Sequence, residues 1–453
     1  MRELRAPFLA TGVATGVLLP FVVPILAIRG FSAEGIGLLL AITSVAVVVA
    51  MPAWGHVADA LLGRRRTLQW AALLSVAAAL WLGAPMALPV VGAALLFWYV
   101  LQTAIPTLLD SIAMRTLGGQ RDSYGHLRLL ESFSFAIAAF GAGILYDLAG
   151  YGASYFVFAA TAIALVILIQ PVPEPPRIGL GASRPLSNAD PAANEVHGSA
   201  EPVGPPRRAG RPRLGLGSIG AALSVGPRLV GALAAILLAS VGLLAANTFL
   251  PLRLHDLGAA PSTIAMSATI SALFEIPAML SGRRLVARLG LRGFFALGCL
   301  MYLLALASWI VVDNPVVLVA SRALTGLGYG SFTVASVVAL GAILPEELQA
   351  SGQAMRQSAI SAVAVVGFLG GGLIYGLLGS ATFFAIAACG PILGALVGWR
   401  WLPARGRVHI HLDTTAMNPA AAAAAIAFAS ATASAAGSPD ALDDEPTSQD
   451  SWI

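Results

Sequence analysis

Apolar runs long enough to cross a bilayer recur from one end of this 453-residue chain to the other, a pattern that no soluble fold accommodates. At ~1.5 Å of rise per residue, about 20 apolar residues span a ~30 Å hydrocarbon core. No water is present there to satisfy backbone polar groups, so each run reads as a helix. Composition agrees: 58% of the residues are hydrophobic, 11% are charged, and mean hydropathy is +0.83. A soluble enzyme is excluded. All 26 basic residues are arginine. A Walker A loop and Schiff-base chemistry both need lysine, so an ATP-driven motor, a PLP enzyme and a retinal protein are excluded too.

Twelve apolar segments can be marked. The first six are 6–28, 33–57, 67–83, 88–113, 127–148 and 152–169. The last six are 227–250, 262–281, 293–312, 315–343, 357–378 and 382–402. The first is too long for the apolar part of a signal peptide and is kept as a span. Arginines concentrate in alternate loops: Arg64–Arg66, Arg115 and Arg121, the Arg177–Arg213 group, and Arg283, Arg284, Arg288 and Arg292. The opposite loops hold little more than Arg29 and Arg253. The positive-inside rule then places both termini in the cytoplasm of a bacterial inner-membrane protein. The pI near 9.4 is therefore a topology signal and not a mark of nucleic-acid binding. Residues 1–170 and 227–403 are expected to form two six-helix bundles. A Pro-, Gly- and Arg-rich cytoplasmic linker, 171–226, and a tail, 404–453, both read as disordered. Cys299 and Cys389 fall in different spans and read as buried small apolar residues, with no disulfide or metal site.

The halves repeat each other. Gly141, Gly143, Tyr146 and Gly150 recur 229 positions later as Gly370, Gly372, Tyr375 and Gly379. Gly55, Gly63 and Arg65 recur 227 positions later as Gly282, Gly290 and Arg292. A parallel repeat of six helices is the arrangement of a carrier whose two halves rock about a central site.

Gly55-His56-Val57-Ala58-Asp59 followed by Gly63-Arg64-Arg65-Arg66 resembles the signature loop of the major facilitator superfamily. It carries one extra residue before Gly63, and Ala60 where a basic residue is common. The resemblance implies the superfamily's twelve-helix fold over residues 6–402. It also implies a cytoplasmic gate formed by Gly55, Asp59, Gly63, Arg64 and Arg65. Pro106-Thr107-Leu108-Leu109-Asp110-Ser111, then Tyr124-Gly125-His126-Leu127-Arg128 and Ser132, is similar to a branch containing phenylpropionate permeases and nucleoside–proton symporters. Glu275-Ile276-Pro277 is similar to the same branch and to sugar-efflux carriers. Leu130-Glu131 stands where that branch has Trp-Gly, so no substrate transfers.

An ionisable side chain at the centre of a membrane helix costs at least about 2.5–3.5 kcal/mol, so each one needs a partner or a task. Asp110, Arg128 and Glu131 gather near the cytoplasmic ends of the fourth and fifth segments. They form either a structural ion-pair cluster or a gating and proton-coupling group. Glu275 lies deep in the eighth segment, and an acid among apolar neighbours favours its neutral form, as a proton carrier requires. Pro277, two residues on, is expected to break the helix locally and expose carbonyls. Arg322 binds an anionic solute, pairs with Glu275, or snorkels outward. Thr15, Gln102, Asn247 and Gln357, with Trp98 and Tyr99, are candidates to line a central cavity.

The expectation is thus an all-α, twelve-helix secondary transporter that moves a small organic solute with protons. Glu275, Glu131 and Asp110 would serve coupling. Arg322, Arg128, Gln102, Tyr99, Asn247 and Gln357 would face the solute. No catalytic residue, cofactor or metal is expected, and the carrier is read as a monomer. A sugar or drug efflux carrier is the alternative, and a transporter-derived sensor a more distant one.

Overall fold

The computed structural model describes residues 2–117, 121–173 and 226–404, and every regular element among them is helical. The first half of the chain supplies α1 (Arg2–Leu18), α2 (Val22–Ile28), α3 (Ala33–His56), α4 (Arg64–Gly83), α5 (Leu88–Thr116), α6 (Arg121–Ala149) and α7 (Ala153–Leu168). The second supplies α8 (Pro227–Asp256), α9 (Pro261–Val311), α10 (Pro315–Ile343) and α11 (Glu346–Trp401). Among the described residues, 8 helical stretches are long and apolar enough to cross a membrane, which makes this a multi-pass membrane protein. α1 and α2 form one of them, bent at a 3₁₀ turn that contains Pro20. α9 and α11, of 51 and 56 residues, each turn at one non-helical glycine, Gly290 and Gly379, and so hold two expected segments apiece. α4 and α7 stand at the third and sixth expected segments. Most of the expected linker, 174–225, and nearly all of the tail, 405–453, lie outside the described residues.

Local chemistry sets where helices start. Ser32 accepts the Gly35 amide at the start of α3, and Asn314 accepts the Val316 amide at the start of α10. α8, α9 and α10 begin on proline, which costs nothing in a first turn whose amides are orphaned anyway. Between α3 and α4, Val57–Leu61 forms one π turn in which the Leu62 amide reaches the Val57 carbonyl at 2.9 Å. The wider turn absorbs the extra residue of the signature loop without ending the helix.

The sequence repeat has structural counterparts. Gly63 and Gly290 both take positive φ, +84° and +71°, a conformation that side chains rarely adopt. The arginine two residues beyond each donates to carbonyls where its own half ends. Arg65 reaches Gln170 and Val172 at 3.0 and 3.1 Å, and Arg292 reaches Leu402 at 2.6 Å. Tyr146 donates to the Val17 carbonyl, and Tyr375 donates to the Asp256 carboxylate, each at 2.6 Å.

The two halves meet along two seams, α3 against α11 and α6 against α9. At Gly143 a Cβ would lie 2.6 Å from the Ala265 Cβ and 2.8 Å from the Ser262 Cα. At its repeat mate Gly372, a Cβ would lie 2.6 Å from the Ala33 carbonyl oxygen and 2.8 Å from the Gly37 Cα. Backbones touch here because both positions lack a side chain, the usual route to close association where lipid supplies no hydrophobic drive. Asp147 accepts the Ser262 amide at 3.0 Å, capping α9 from the other half. At the mate of Asp147, Gly376, the Glu34 carboxylate occupies the place of a Cβ.

All these contacts lie at one end of the molecule. There, a single apolar core takes residues from both halves, including Phe21, Ile36 and Tyr146 with Phe249, Trp309 and Phe383. At the opposite end, where the chain enters α1 and leaves α11, the core divides. Leu4, Leu68, Ile112 and Ile169 pack within the first half, and Leu229, Leu291, Phe294 and Leu402 within the second. The molecule is welded at the far end and split at the terminal end.

Candidate functional site

Between the halves, beneath the shared core, lies a cavity of about 460 Å³. Its walls come from α2, α3, α5 and α6 on one side and from α8, α9, α10 and α11 on the other. The first half contributes mainly Pro20, Val22, Val23, Val47, Val48 and Phe135, with Thr43, Ser44, Tyr99 and Thr103 as polar points. The second contributes Leu250, Pro251, Ile264, Ala268 and Phe368, with Asn247, Thr248, Ser267, Ser361 and Arg322 as polar points.

Among the described residues, Arg322 is the one guanidinium in this wall, and it is only 9% exposed. Its Nε donates to the Ser267 carbonyl at 3.2 Å, and its Nη1 donates to Asn247 Oδ1. Asn247 Nδ2 in turn donates to the Tyr302 hydroxyl at 3.3 Å, which turns the amide oxygen toward the arginine. The Trp309 ring lies 5.9 Å from the guanidinium carbon, within cation–π range. Every one of these partners is neutral. No Arg322–Glu275 ion pair is made, and the side chain does not snorkel to the surface. Sequence reasoning passed over Tyr302, Trp309 and Ser267, which read as ordinary span residues.

Glu275 sits eight positions beyond Ser267 on α9, or ~12 Å along the helix axis, nearer the split end. Its backbone and Cγ pack on Gly330 of α10, and its carboxylate makes no hydrogen bond or ion pair among the described residues. Tyr329 lies within electrostatic reach of both Glu275 and Arg356. Arg356, one residue before the expected 357–378 segment, escaped the sequence reading; its Nε donates to Gln353 at 3.1 Å. Pro277 does not break α9. Backbone angles stay helical as far as Gly290, and Ser281 Oγ bonds the Pro277 carbonyl at 2.7 Å. A missing amide alone is tolerated where the flanking turns remain packed.

The first half treats its charges differently. Arg128 lies 2.8 Å from Glu131 and 3.5 Å from Asp110, and Tyr124 hydrogen-bonds Asp110. Arg64 pairs with Asp59 at 2.7 Å and also donates to Ser111 Oγ, which ties the signature loop to α5. Gly55 faces open space. Of the other cavity candidates, Tyr99 and Asn247 line the space, whereas Gln102 bonds Thr15 at 3.4 Å behind the wall. Trp98 is a correction: it is fully buried against Tyr99 and Phe158 and faces no cavity. Gln357 is exposed outside the cavity wall. Cys299 is buried as expected, but Cys389 is exposed.

The MFS_1 like family matches residues 8–386. The chain belongs to that family. A maltose permease of Geobacillus stearothermophilus is 28% identical over 353 residues, which are 76% of this chain and 76% of that protein. Among solved structures, the nucleoside transporter NupG superposes with a TM-score of 0.72 at 15% identity, covering 88% of this chain and 98% of its own. A bacterial homologue of the iron transporter ferroportin, in its inward-facing state, superposes at 0.66 with 14% identity, covering 88% and 98%. These neighbours establish the fold, and with the family they make this MFS_1 like protein a transporter of small solutes, with no catalytic family indicated.

Proposed function

We propose that the protein is a proton-coupled secondary transporter that carries a small organic solute by alternating access. Twelve spans in two six-helix bundles, 1–170 and 227–403, would rock about the central cavity. Both termini, the 171–226 linker and the 404–453 tail lie in the cytoplasm, and the carrier works as a monomer in a bacterial inner membrane. The observation that carries this reading is the divided core: one apolar core at the far end and two at the terminal end, with the cavity between the halves. With cytoplasmic termini, that arrangement is the inward-facing state. The Asp59–Arg64 loop, with Gly55, Gly63 and Arg65, serves as the cytoplasmic gate and closes when the far-end seams open. Glu275 carries the coupled proton, because among the described residues it is the unpaired acid between the cavity and the open end. Asp110, Arg128 and Glu131 make and break contacts as the halves rock.

In proteoliposomes, solute uptake should follow an imposed pH gradient, and Glu275→Gln should abolish gradient-driven accumulation while sparing solute exchange. Full accumulation by that variant would remove Glu275 from the coupling role. A sugar carrier is the second reading, favoured by the likeness to the maltose permease.

A further inference from the structure

Arg322 holds a full positive charge in a nine-tenths buried position, yet none of its described partners is an acid. Glu275 stands about two helical turns away along α9 and is no counter-ion. The Ser267 carbonyl and the Asn247 oxygen take up two of the five guanidinium N–H groups, and among the described residues no further acceptor meets the others. A buried charge is retained only where something neutralises it. The fixed Asn247 and Ser267 contacts, with Trp309 against the ring, hold the planar fork in one orientation. A second observation lies across the cavity. Thr43 is only 3% exposed, its hydroxyl has no hydrogen-bond partner, and it lines the same space. Apolar side chains dominate the wall around it.

We infer that the cavity binds an organic carboxylate monoanion, with its carboxylate on Arg322, its apolar body against Pro20, Val23, Val47 and Phe135, and a polar substituent reaching Thr43. The planar carboxylate matches the free edge of the guanidinium fork. One cation balances one charge. A phosphomonoester, at about −1.5 to −2, would leave excess negative charge in an apolar space. A neutral sugar or nucleoside would leave Arg322 unneutralised. This assignment rests on the transport reading and names the solute class for the same cavity.

The test uses the full chain in nanodiscs, with binding measured calorimetrically. Benzoate, cinnamate and octanoate are each compared with the matching primary amide, beside phenyl phosphate, uridine and maltose. At least one carboxylate should bind wild-type protein about tenfold or more tighter than its amide and than phenyl phosphate. Arg322→Gln should erase that preference, and Arg322→Lys should keep part of it. The wild-type comparison needs no variant, so misfolding of either variant leaves the inference open to refutation. Saturable binding of uridine or maltose without a carboxylate preference overturns the solute class, as does a carboxylate preference that survives Arg322→Gln. The absence of binding by every carboxylate also overturns it. Flux of any panel solute in proteoliposomes would then still support the transport reading, whose own failure is the absence of flux for all of them.

Discussion

The two halves of this protein repeat the same turns but differ in the charges they leave unpaired. In the first half, Asp59 is paired with Arg64, and Arg128 lies between Glu131 and Asp110. In the second half Arg253 pairs with Asp313, but the deep charges Glu275 and Arg322 have no oppositely charged partner within ion-pair distance among the described residues. Neutralised groups can serve as structure or as latches. Unneutralised buried groups are costly in a bilayer, at about 2.5–3.5 kcal/mol or more each, and persist where a proton or a solute supplies what the fold omits. On the proposed transport reading, the chemistry falls to the second half, and the paired charges of the first serve as latches.

That contrast can be broken experimentally. The largest effect is expected at Arg322: Arg322→Gln should abolish solute binding and transport without lowering thermal stability, because removing a lone buried cation also removes its desolvation cost. A large loss of stability would show instead that Arg322 is a structural linchpin. Next come the paired tyrosines. Tyr375→Phe should destabilise by about 1.5–3 kcal/mol, since its hydroxyl serves a carboxylate. Tyr146→Phe should cost about 0.5–1.5 kcal/mol, since its acceptor is a neutral carbonyl. Equal losses in thermal unfolding would contradict a chemical difference between the repeats. Smaller still, a double-mutant cycle on Arg128→Gln and Glu131→Gln should give a stability coupling of about 0.2–1 kcal/mol, because the pair is partly open to solvent. Smallest of all, Trp98→Phe should leave solute affinity within about twofold while lowering stability, since a core site loses packed area and touches no solute. A larger affinity loss would return Trp98 to the cavity wall.

Much of this architecture was legible in the chain. The segments, the 227- and 229-residue repeats and the 59–66 loop follow from run length, glycine spacing and arginine placement. Grouping Asp110 with Arg128 and Glu131 needed only helix spacing and an antiparallel neighbour. Which face of a span meets protein, lipid or cavity was not legible. Leu38, Ile42, Val45 and Val49 of α3 are exposed, while Leu40 and Ala41 are buried, yet all six are apolar. Lipid and protein interior select the same side chains, so periodicity carries little information there. The misreadings of Trp98 and Cys389 share that cause. Arg356 was missed for a different reason: it falls one position outside the marked segment, where an arginine looks like loop charge. The closed far end was invisible as well, because it depends on glycines meeting residues more than 100 positions away in the other half.

Glu34, Gly372 and Gly376 carry a last consequence. The carboxylate rests where any other residue at position 376 would place its first carbon. Glu34 can swing aside for a side chain at 376, but at Gly372, four residues earlier, the obstacle is the Ala33 carbonyl and the Gly37 backbone, so a bulky substitution at 372 would act as a wedge between the far rims. Under the alternating access proposed above, the equilibrium between the two openings would then be set from the rim by one side chain, and a carrier so biased would be trapped for study without altering what it binds.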